Sequence, residues 1–368
     1  MKPLSRTDLK IIRILQYNPR ISYAELASEL NVSPPTAKAK VTSLTERKVL
    51  KHSYAVYSPE ALGLKRFKVY FRLSHSSQLA FLEKALDNHP YLHYRARFYG
   101  DGVGLYSDFD IPEHGRNLLE TYLDEIKELS LFENWQMTKS SGIRVSTFPD
   151  FNVWNPDDVS WQYDWETWKK QLENPDLSLD IPQPEFYKGP FDLLTLQLLN
   201  EVTINSDIKQ IKFVEKYKSS RSTISKKMDF INNNLISAFW SRFDRRYFDL
   251  NSYKILLTKC DDIEKVNSFS RSLLSDNKPP FRISLDVVED GFLVMINMPV
   301  FHESQLIYGI LDHFPETRIL TLDINPPSGK TIYFYVDNYD TESGSWKLSR
   351  DYVVDQPLES LKKEIKET

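Results

Sequence analysis

Residues 21–47, Ile21-Ser22-Tyr23-Ala24-Glu25-Leu26-Ala27-Ser28-Glu29-Leu30-Asn31-Val32-Ser33-Pro34-Pro35-Thr36-Ala37-Lys38-Ala39-Lys40-Val41-Thr42-Ser43-Leu44-Thr45-Glu46-Arg47, read as two short helices in close succession. Ser22 caps the first, Glu25 follows at the spacing of a capping box, and Leu26 and Leu30 are its apolar contacts. Ser33 caps the second, and Pro34 takes the first helical position, where its missing N–H costs nothing. In that helix Ala37, Val41 and Leu44 recur at i, i+4 and i+7, which leaves Thr36, Lys38, Lys40, Ser43 and Arg47 off the buried stripe. Upstream, Leu9, Ile12 and Leu15 mark an earlier helix closed by Asn18-Pro19. Downstream, residues 49–56 alternate as a strand or hairpin. Three helices and a hairpin make a winged helix-turn-helix, whose third helix enters the DNA major groove while the wing touches the backbone.

Further along, the texture changes. Residues 67–74 read as a strand, 78–87 as a helix, 91–98 and 104–109 as strands around Gly100-Asp101-Gly102, 115–129 as a helix and 143–148 as the end of a last strand. This β-α-β-β-α-β order is that of a ferredoxin-like sandwich. Residues 150–185 form a connector closing on Ile181-Pro182-Gln183-Pro184. Trp161, Trp165 and Trp168 make an aromatic stripe there on a short helix, opposite Asp164, Glu166, Lys169 and Lys170. Its acidic flanks favour packing on its own protein over a membrane surface.

After the connector the pattern restarts. Asp192-Leu193 with Leu196 and Leu199 mirrors Asp8-Leu9 with Ile12 and Leu15, and Ser220 with Ile224, Met228 and Ile231 mirrors Ser33 with Ala37, Val41 and Leu44. A helix over 207–217 lies between them. A hairpin-like run over 235–248 follows, then a strand at 253–258, a helix at 262–274, strands at 281–288 and 292–297, a helix at 303–314 and strand signals through 331–336. The expected fold is α+β: a winged helix-turn-helix plus a ferredoxin-like (βαββαβ) domain, the pair repeated twice. The divisions are 1–64, 65–149, the connector 150–185, 186–252, 253–350 and a charged tail 351–368.

Charge supports the division. The 368 residues hold 47 Lys+Arg and 51 Asp+Glu, a net of −4 that taken as an average disfavours a polyanionic partner. Residues 1–72, however, carry 14 basic and 5 acidic side chains (+9), and residues 186–259 carry 13 and 7 (+6), leaving −19 for the rest. Positive charge is thus segregated into the two tri-helical units, where a phosphate backbone needs it. The expected DNA-facing set is Ser33, Thr36, Lys38, Lys40, Ser43 and Arg47 with Lys51, beside His52, on the first wing. In the second unit it is Arg221, Ser222, Ser225, Lys226 and Lys227, with Arg242, Arg245 and Arg246 on the wing.

The runs Leu4-Ser5-Arg6-Thr7-Asp8, Ile21-Ser22-Tyr23-Ala24-Glu25-Leu26-Ala27 and Val32-Ser33-Pro34, with Val41 and Leu44-Thr45-Glu46-Arg47, resemble the DNA-binding domain of the Lrp/AsnC (leucine-responsive) transcription regulators. The resemblance implies transcription regulation on double-stranded DNA, and a following ferredoxin-like domain that regulates amino-acid metabolism (RAM), for which 67–148 has the right order and length. Two units in one chain depart from the family pattern and suggest an intrachain pseudo-dimer or homo-oligomer through the ferredoxin-like domains, in an archaeal form. The family's amino-acid effector site is marked by a Gly-Asp step. Gly100 and Asp101 fit it, but Val103 stands at the later acidic position and Glu289-Asp290-Gly291 inverts the order. The competing reading, that Gly100 and Gly102 permit a tight hairpin, is preferred.

Other chemistry is sparse. The lone Cys260 excludes a disulfide framework and reads as a small buried residue. The seven histidines form no HExxH, no metal site or cofactor is indicated, and no G-x-S-x-G elbow occurs. Ser328-Gly329-Lys330-Thr331 lacks the first P-loop glycine, with Ile324 in its place, and reads as a turn between strands. One enzyme alternative follows from the resemblance, because siroheme decarboxylases share both domains. His93, Arg95 and Arg97 alternate along one strand and would hold carboxylates and supply a proton. A polar outer face of a sheet, or a dimer salt-bridge row, is the favoured reading, since the second repeat offers Arg282 but no matching histidine and an enzyme leaves the basic recognition helices surplus. A non-catalytic scaffold is a third possibility. No signal-peptide core in MKPLSRTDLK and no apolar run of about 18–20 residues point to a cytoplasmic protein without a membrane partner.

Overall fold

The computed structural model describes residues 4–158, 160–187, 189–332 and 335–367. The first half runs α1 (Arg6–Tyr17), α2 (Tyr23–Leu30), α3 (Pro34–Glu46), β1 (Leu50–Tyr57), β2 (Lys65–Arg72), α4 (Leu79–Asp87), β3 (Leu92–Gly100), β4 (Gly102–Ile111), α5 (Arg116–Glu128) and β5 (Asn134–Ser146), then a small hairpin, β6 (Trp154–Asn155) and β7 (Ser160–Trp161), and α6 (Trp165–Glu173). The second half follows the same order. It runs α7 (Leu193–Ile204), α8 (Gln210–Tyr217), α9 (Arg221–Asn234), β8 (Ile236–Phe243), β9 (Ser252–Lys259), α10 (Ile263–Ser272), β10 (Arg282–Val288), β11 (Gly291–Met298), α11 (Val300–His313), β12 (Thr317–Asp323) and the short β13 (Gly329–Thr331). A hairpin of β14 (Tyr339–Asp340) and β15 (Ser345–Trp346) and then α12 (Gln356–Glu367) complete it. The architecture is α+β, a winged helix-turn-helix and a ferredoxin-like unit, each occurring twice.

The caps act where the sequence puts them. Ser22 and Glu25 form a reciprocal capping box, Ser33 Oγ accepts from the Thr36 N–H, and Ser220 Oγ accepts from the Thr223 N–H. Ala37 and Leu44, and Ile224, Met228 and Ile231, are buried on the expected stripes.

The wings differ from expectation. Neither is a hairpin of its own unit: β1 and β8 are single strands paired antiparallel with each other, Tyr54 opposite Trp240 and Ala55 opposite Phe239. A lone strand leaves its N–H and C=O groups without partners, and the matching strand of the other repeat supplies them. Helix α1 packs on β8 and α7 on β1, so the heads are interleaved across this ribbon. Ser241 donates to the Leu15 carbonyl at 2.8 Å and the Ser53 N–H donates to Asp207 at 2.9 Å.

The sheets of the two ferredoxin-like units, ordered β5-β2-β4-β3 and β12-β9-β11-β10, also join. β10 pairs with β5 and β12 with β3, which closes an eight-stranded antiparallel barrel, with β13 beside β12 along β3. The second unit's last strand is therefore β12, upstream of the signal at 331–336. That stretch holds the end of β13 and the start of a 3-10 turn (Val336–Asn338), and positions 333 and 334 lie outside the described residues.

Strand alternation sends Phe67, Val69 and Phe71 outward under α4 and α5, while Lys68 and Tyr70 point into the barrel. Tyr106, Phe98, Ile255, Leu293 and Leu320 fill the interior. One wall is ionic: Lys68 Nζ lies 2.9 Å from Asp286 and 3.5 Å from Asp108, Arg144 bridges Asp286 and Glu60, and Arg66 grips Asp110 at 2.6 Å. The Lys68–Asp286 and Arg144–Asp286 pairs cross the β5–β10 seam and so pin its register.

The connector is part of the core. Trp154 and Trp161 face each other across β6–β7, and Trp165, Trp168 and Leu172 bury α6 against α10 and α11 of the second unit. The Trp stripe does pack on its own protein, although Trp161 belongs to β7 and not to the helix. The second half carries the counterpart. The supposed charged tail is a π-turn (Asp351–Asp355) and α12, with Val353, Val354, Leu358 and Leu361 buried against α4 and α5 of the first unit. The cores are crossed in the same sense. The first head's Leu9, Ile11, Ile12 and Leu44 share a core with β10, β11 and α10, whereas Leu196, Leu199, Ile224 and Ile231 of the second head join that of β2, β4 and α5.

Candidate nucleic-acid interface

On α3, Thr36, Lys38 and Ser43 are exposed and Lys40 is half-buried; on α9, Arg221, Ser222 and Lys226 are exposed and Ser225 is half-buried. Both helices thus present hydroxyls and ammonium groups on the side away from Ala37 and Ile224, as the periodicity implies. The Ser33 hydroxyl is engaged, accepting from the Thr36 N–H and bonded to Thr36 Oγ1 at 2.8 Å. Lys51 is exposed on β1. Lys209 and Lys218, exposed at either end of α8, were absent from the sequence-based set, although they contribute to the local charge.

Two side chains assigned to this face serve another purpose. Arg47 donates to Asp8 at 3.2 Å, and Lys227 donates to Asp192 at 2.5 Å and to Thr195 Oγ1 at 3.2 Å. Burial raises the Asp192 carboxyl, but the bonds from Lys227 and Thr195 outweigh it and hold the group below its ordinary value. Each pair clamps a third helix to the first helix of its own head. A helical wheel shows only that Arg47 and Lys227 leave the apolar stripe, not that an acid from another helix meets them.

The wing arginines are also displaced from expectation. Arg246 is exposed and held by Asp244 through Nη2 at 2.6 Å and Nε at 3.0 Å. Arg242 stacks on Tyr54 with its guanidinium carbon 4.3 Å from the ring centre, and Arg245 on Tyr253 at 4.5 Å, beneath the ribbon and against the barrel. Arg20, which carried no signal in the sequence, lies 4.9 Å from the Phe239 ring centre and donates to Asn232 of α9 at 3.3 Å, joining one head to the other.

At the barrel end far from the heads, Gly100 (φ +119°) and Gly102 (φ +94°) make the tight hairpin that was the preferred reading. Asp101 accepts from Arg318 of the other repeat at 2.8 Å, and Arg318 also donates to Gln136 at 3.0 Å. Beside them is an opening of about 450 Å³ lined by Tyr70, Gln136, Thr138, Leu257, Asp290 and Arg318, among others. Asp290 accepts from Thr138 at 2.8 Å, and the buried Tyr70 hydroxyl has no partner.

His93, Arg95 and Arg97 are not gathered into a cavity-facing row. A bulge between Leu92 and Tyr94 takes His93 out of alternation. His93 Nδ1 lies 3.1 Å from the Tyr57 hydroxyl, and burial, reinforced by Arg66, holds its ring down at about 4. Arg95 binds Asp87 (2.7 Å) and Glu83 (2.9 Å), and Arg97 binds Glu83 (2.7 Å). Cys260 is half-buried and donates to the Asp262 carbonyl at 3.5 Å. In the Ser328–Thr331 segment, Lys330 meets Asp87 at 2.9 Å. Among the described residues no group of three or more His, Cys, Asp or Glu is placed to hold a metal, and no helix is long and apolar enough to cross a membrane.

Residues 4–51 match the family model for winged helix-turn-helix DNA-binding domains. The HTH-type transcriptional regulator Ptr1 of Methanocaldococcus jannaschii is 40% identical over 62 residues, 17% of this chain and 42% of that protein. An uncharacterized HTH-type transcriptional regulator of Haemophilus influenzae is 28% identical over 87 residues, 24% of this chain and 51% of that one. The chain therefore spans about half or less of these curated relatives. Among solved structures, E. coli AsnC aligns over 37% of this chain and 91% of its own at 19% identity and a TM-score of 0.31. The siroheme decarboxylase NirDL, in complex with an iron-uroporphyrin III analogue, aligns over 98% of this chain and 100% of its own at 11% identity and a TM-score of 0.51. The N-terminal segment is thus similar to the winged helix-turn-helix DNA-binding domains of transcriptional regulators, and the repeated two-domain fold is shared along 98% of the chain with NirDL.

Proposed function

We propose that this protein is a DNA-binding transcription regulator of Lrp/AsnC type whose two heads act as an intrachain pseudo-dimer on duplex DNA. The observation that carries the reading is the exposed cationic and hydroxyl face of α3 and α9, Lys38 and Thr36 on one and Lys226, Arg221 and Ser222 on the other, within the two basic segments of an otherwise acidic chain. Because the two helices differ in sequence, the preferred site is asymmetric. Arg47 and Lys227 are left out of the contact set, since their charges are spent inside the heads. Selection from a random duplex library, followed by titration at rising salt, tests the proposal. A defined asymmetric site with affinity falling steeply with salt is expected; absent or salt-independent duplex binding at ~50 mM salt overturns it.

The sensing part of the proposal places an amino-acid-like effector at the far barrel opening rather than on the Gly100-Asp101 step alone. Asp290 is the carboxylate for an ammonium group and Arg318 the cation for a carboxylate, with Asp101 holding Arg318 in place. Calorimetric titration with the protein amino acids checks this, and heat that persists unchanged in Asp290→Asn rules it out. The decarboxylase reading keeps the whole-chain likeness to NirDL in its favour, but Arg95 and Arg97 are paired with Glu83 and Asp87 rather than turned to a substrate carboxylate. Adding a siroheme-type tetrapyrrole is expected to leave its visible bands unshifted.

A further inference from the structure

We propose that the cleft between the β1–β8 ribbon and the near mouth of the barrel binds a small multivalent oxyanion, a polycarboxylate or phosphate, between Arg245 and Arg282. β2 and β9 both start at this end of the barrel, directly after the heads, so the mouth lies under the ribbon. Arg282 stacks on Trp240 of the ribbon with its guanidinium carbon 4.0 Å from the ring centre, and Arg245 stacks on Tyr253 at the barrel rim at 4.5 Å. Arg242 follows on Tyr54 at 4.3 Å.

Cations elsewhere along the barrel wall are matched to acids: Arg66 to Asp110, Lys68 to Asp286, Arg144 to Glu60. Among the described residues no carboxylate oxygen lies within 4.0 Å of Arg245 or Arg282. Burial and the neighbouring Arg282 push Arg245 down to about 9, as expected where negative charge is wanting. Independently of the arginines, two buried polar atoms here have no hydrogen-bond partner, Trp240 Nε1 and the hydroxyl of Tyr253, a residue only 8% exposed. Buried polar groups are almost always satisfied, so orphaned N–H and O–H groups beside two unmatched guanidiniums describe a donor set awaiting an acceptor. Arg245 and Arg282 are themselves half-buried, so solvent reaches the pair. Planar guanidiniums braced by aromatic rings suit carboxylate or phosphate oxygens, and two charges on the ligand match two on the site.

This inference stands apart from the DNA reading, because it needs no nucleic acid. The test is equilibrium dialysis and thermal-shift titration of the full chain with inorganic phosphate, pyrophosphate and citrate at constant ionic strength, with chloride as reference. We expect one saturable site per chain for at least one of these probes. Phosphate or pyrophosphate binding without citrate binding assigns a phosphorylated ligand, and the reverse assigns a polycarboxylate. Arg245→Gln and Arg282→Gln are each expected to weaken binding tenfold or more. Lys38→Ala/Lys226→Ala, on the heads, and Arg246→Gln, tied to Asp244, are expected to leave it within twofold. Trp240→Phe, which removes the orphaned N–H and keeps an aromatic face, gives an intermediate loss and serves where an arginine variant fails to fold. Signals no greater than chloride, or binding that survives in all three site variants, or binding that vanishes with the head lysines, overturns the proposal.

Discussion

Replacing Lys68 by methionine removes one charge from the barrel wall and keeps most of the side-chain volume. Lys68 Nζ lies 2.9 Å from Asp286 and 3.5 Å from Asp108, and its side chain is 4% exposed. At an effective dielectric of about 20, each contact is worth roughly 5 kcal/mol of attraction before desolvation. Asp286 retains Arg144 at 3.3 Å and the Ser140 hydroxyl, whereas Asp108 keeps the Tyr106 hydroxyl and, among the described residues, has no second ion pair within 4.0 Å. The stranded charge is therefore Asp108, and breaking a buried pair in this way costs about 3–5 kcal/mol. Acid discriminates this from a packing defect. Burial raises the Asp286 carboxyl, but Lys68 and then Arg144 outweigh it and depress the group from 3.8 to about 2. Its folded value lies below its unfolded one, so its contribution of about 2 kcal/mol is present above pH 4 and lost as pH falls toward 2. In Lys68→Met the Asp286 carboxyl loses its largest lowering charge and moves back toward its ordinary value, so the gap between variant and parent narrows as pH falls from 4.5 to 2.5. Urea denaturation followed by circular dichroism at both pH values and at pH 7.5 measures this, and adding Asp108→Asn should restore part of the loss at pH 7.5. A loss under about 1 kcal/mol, well below the range for a broken buried pair, or a gap that widens in acid, refutes the assignment.

Other expectations follow from the same geometry. Trp168→Ala, at a residue with no exposed surface on α6, should cost about 3–5 kcal/mol and lower the denaturation midpoint of the whole molecule. Lys38→Ala and Lys226→Ala should each reduce the salt-dependence slope of DNA binding by about 0.9 for every phosphate that the ammonium group neutralises, measured by fluorescence anisotropy. Arg47→Ala should lower stability while leaving that slope unchanged, because its charge is turned toward Asp8. Gly291→Ala should impair folding, read as lower soluble yield, since φ is +140° and a Cβ would sit 2.1 Å from the Thr258 carbonyl.

The helices of both heads were legible because their signals are local: Ser22 and Glu25, Ser33 and Pro34, and the apolar spacing from Ala37 to Leu44 need no distant partner. The β-α-β-β-α-β order was legible for the same reason. What escaped depends on contacts far apart in the chain. Nothing in Tyr54 and its neighbours names Trp240 as the residue opposite, and a strand bounded by loops reads alike whether it turns back on itself or crosses to another repeat. β12 carries a weaker strand signal than the stretch at 331–336 that follows it. The Trp154/Trp161 hairpin and its counterpart at Tyr339/Trp346 repeat only in position and aromatic character, too little to mark them as one module before their shared placement is seen. On the interface, exposure along α3 and α9 followed from periodicity, but the diversion of Arg47, Lys227, Arg242 and Arg245 required the acids and rings that meet them.

The crossed cores bear on how occupancy of DNA would respond to protein supply. When two heads belong to separate chains, dilution separates them, and a two-headed site fills with roughly the square of concentration below the dimerisation constant. Here β1 and β8, α6 and α12 hold both heads in one covalent unit, so the heads meet at an effective concentration that expression level cannot change. A two-headed site should therefore fill in simple proportion to free protein at low copy number.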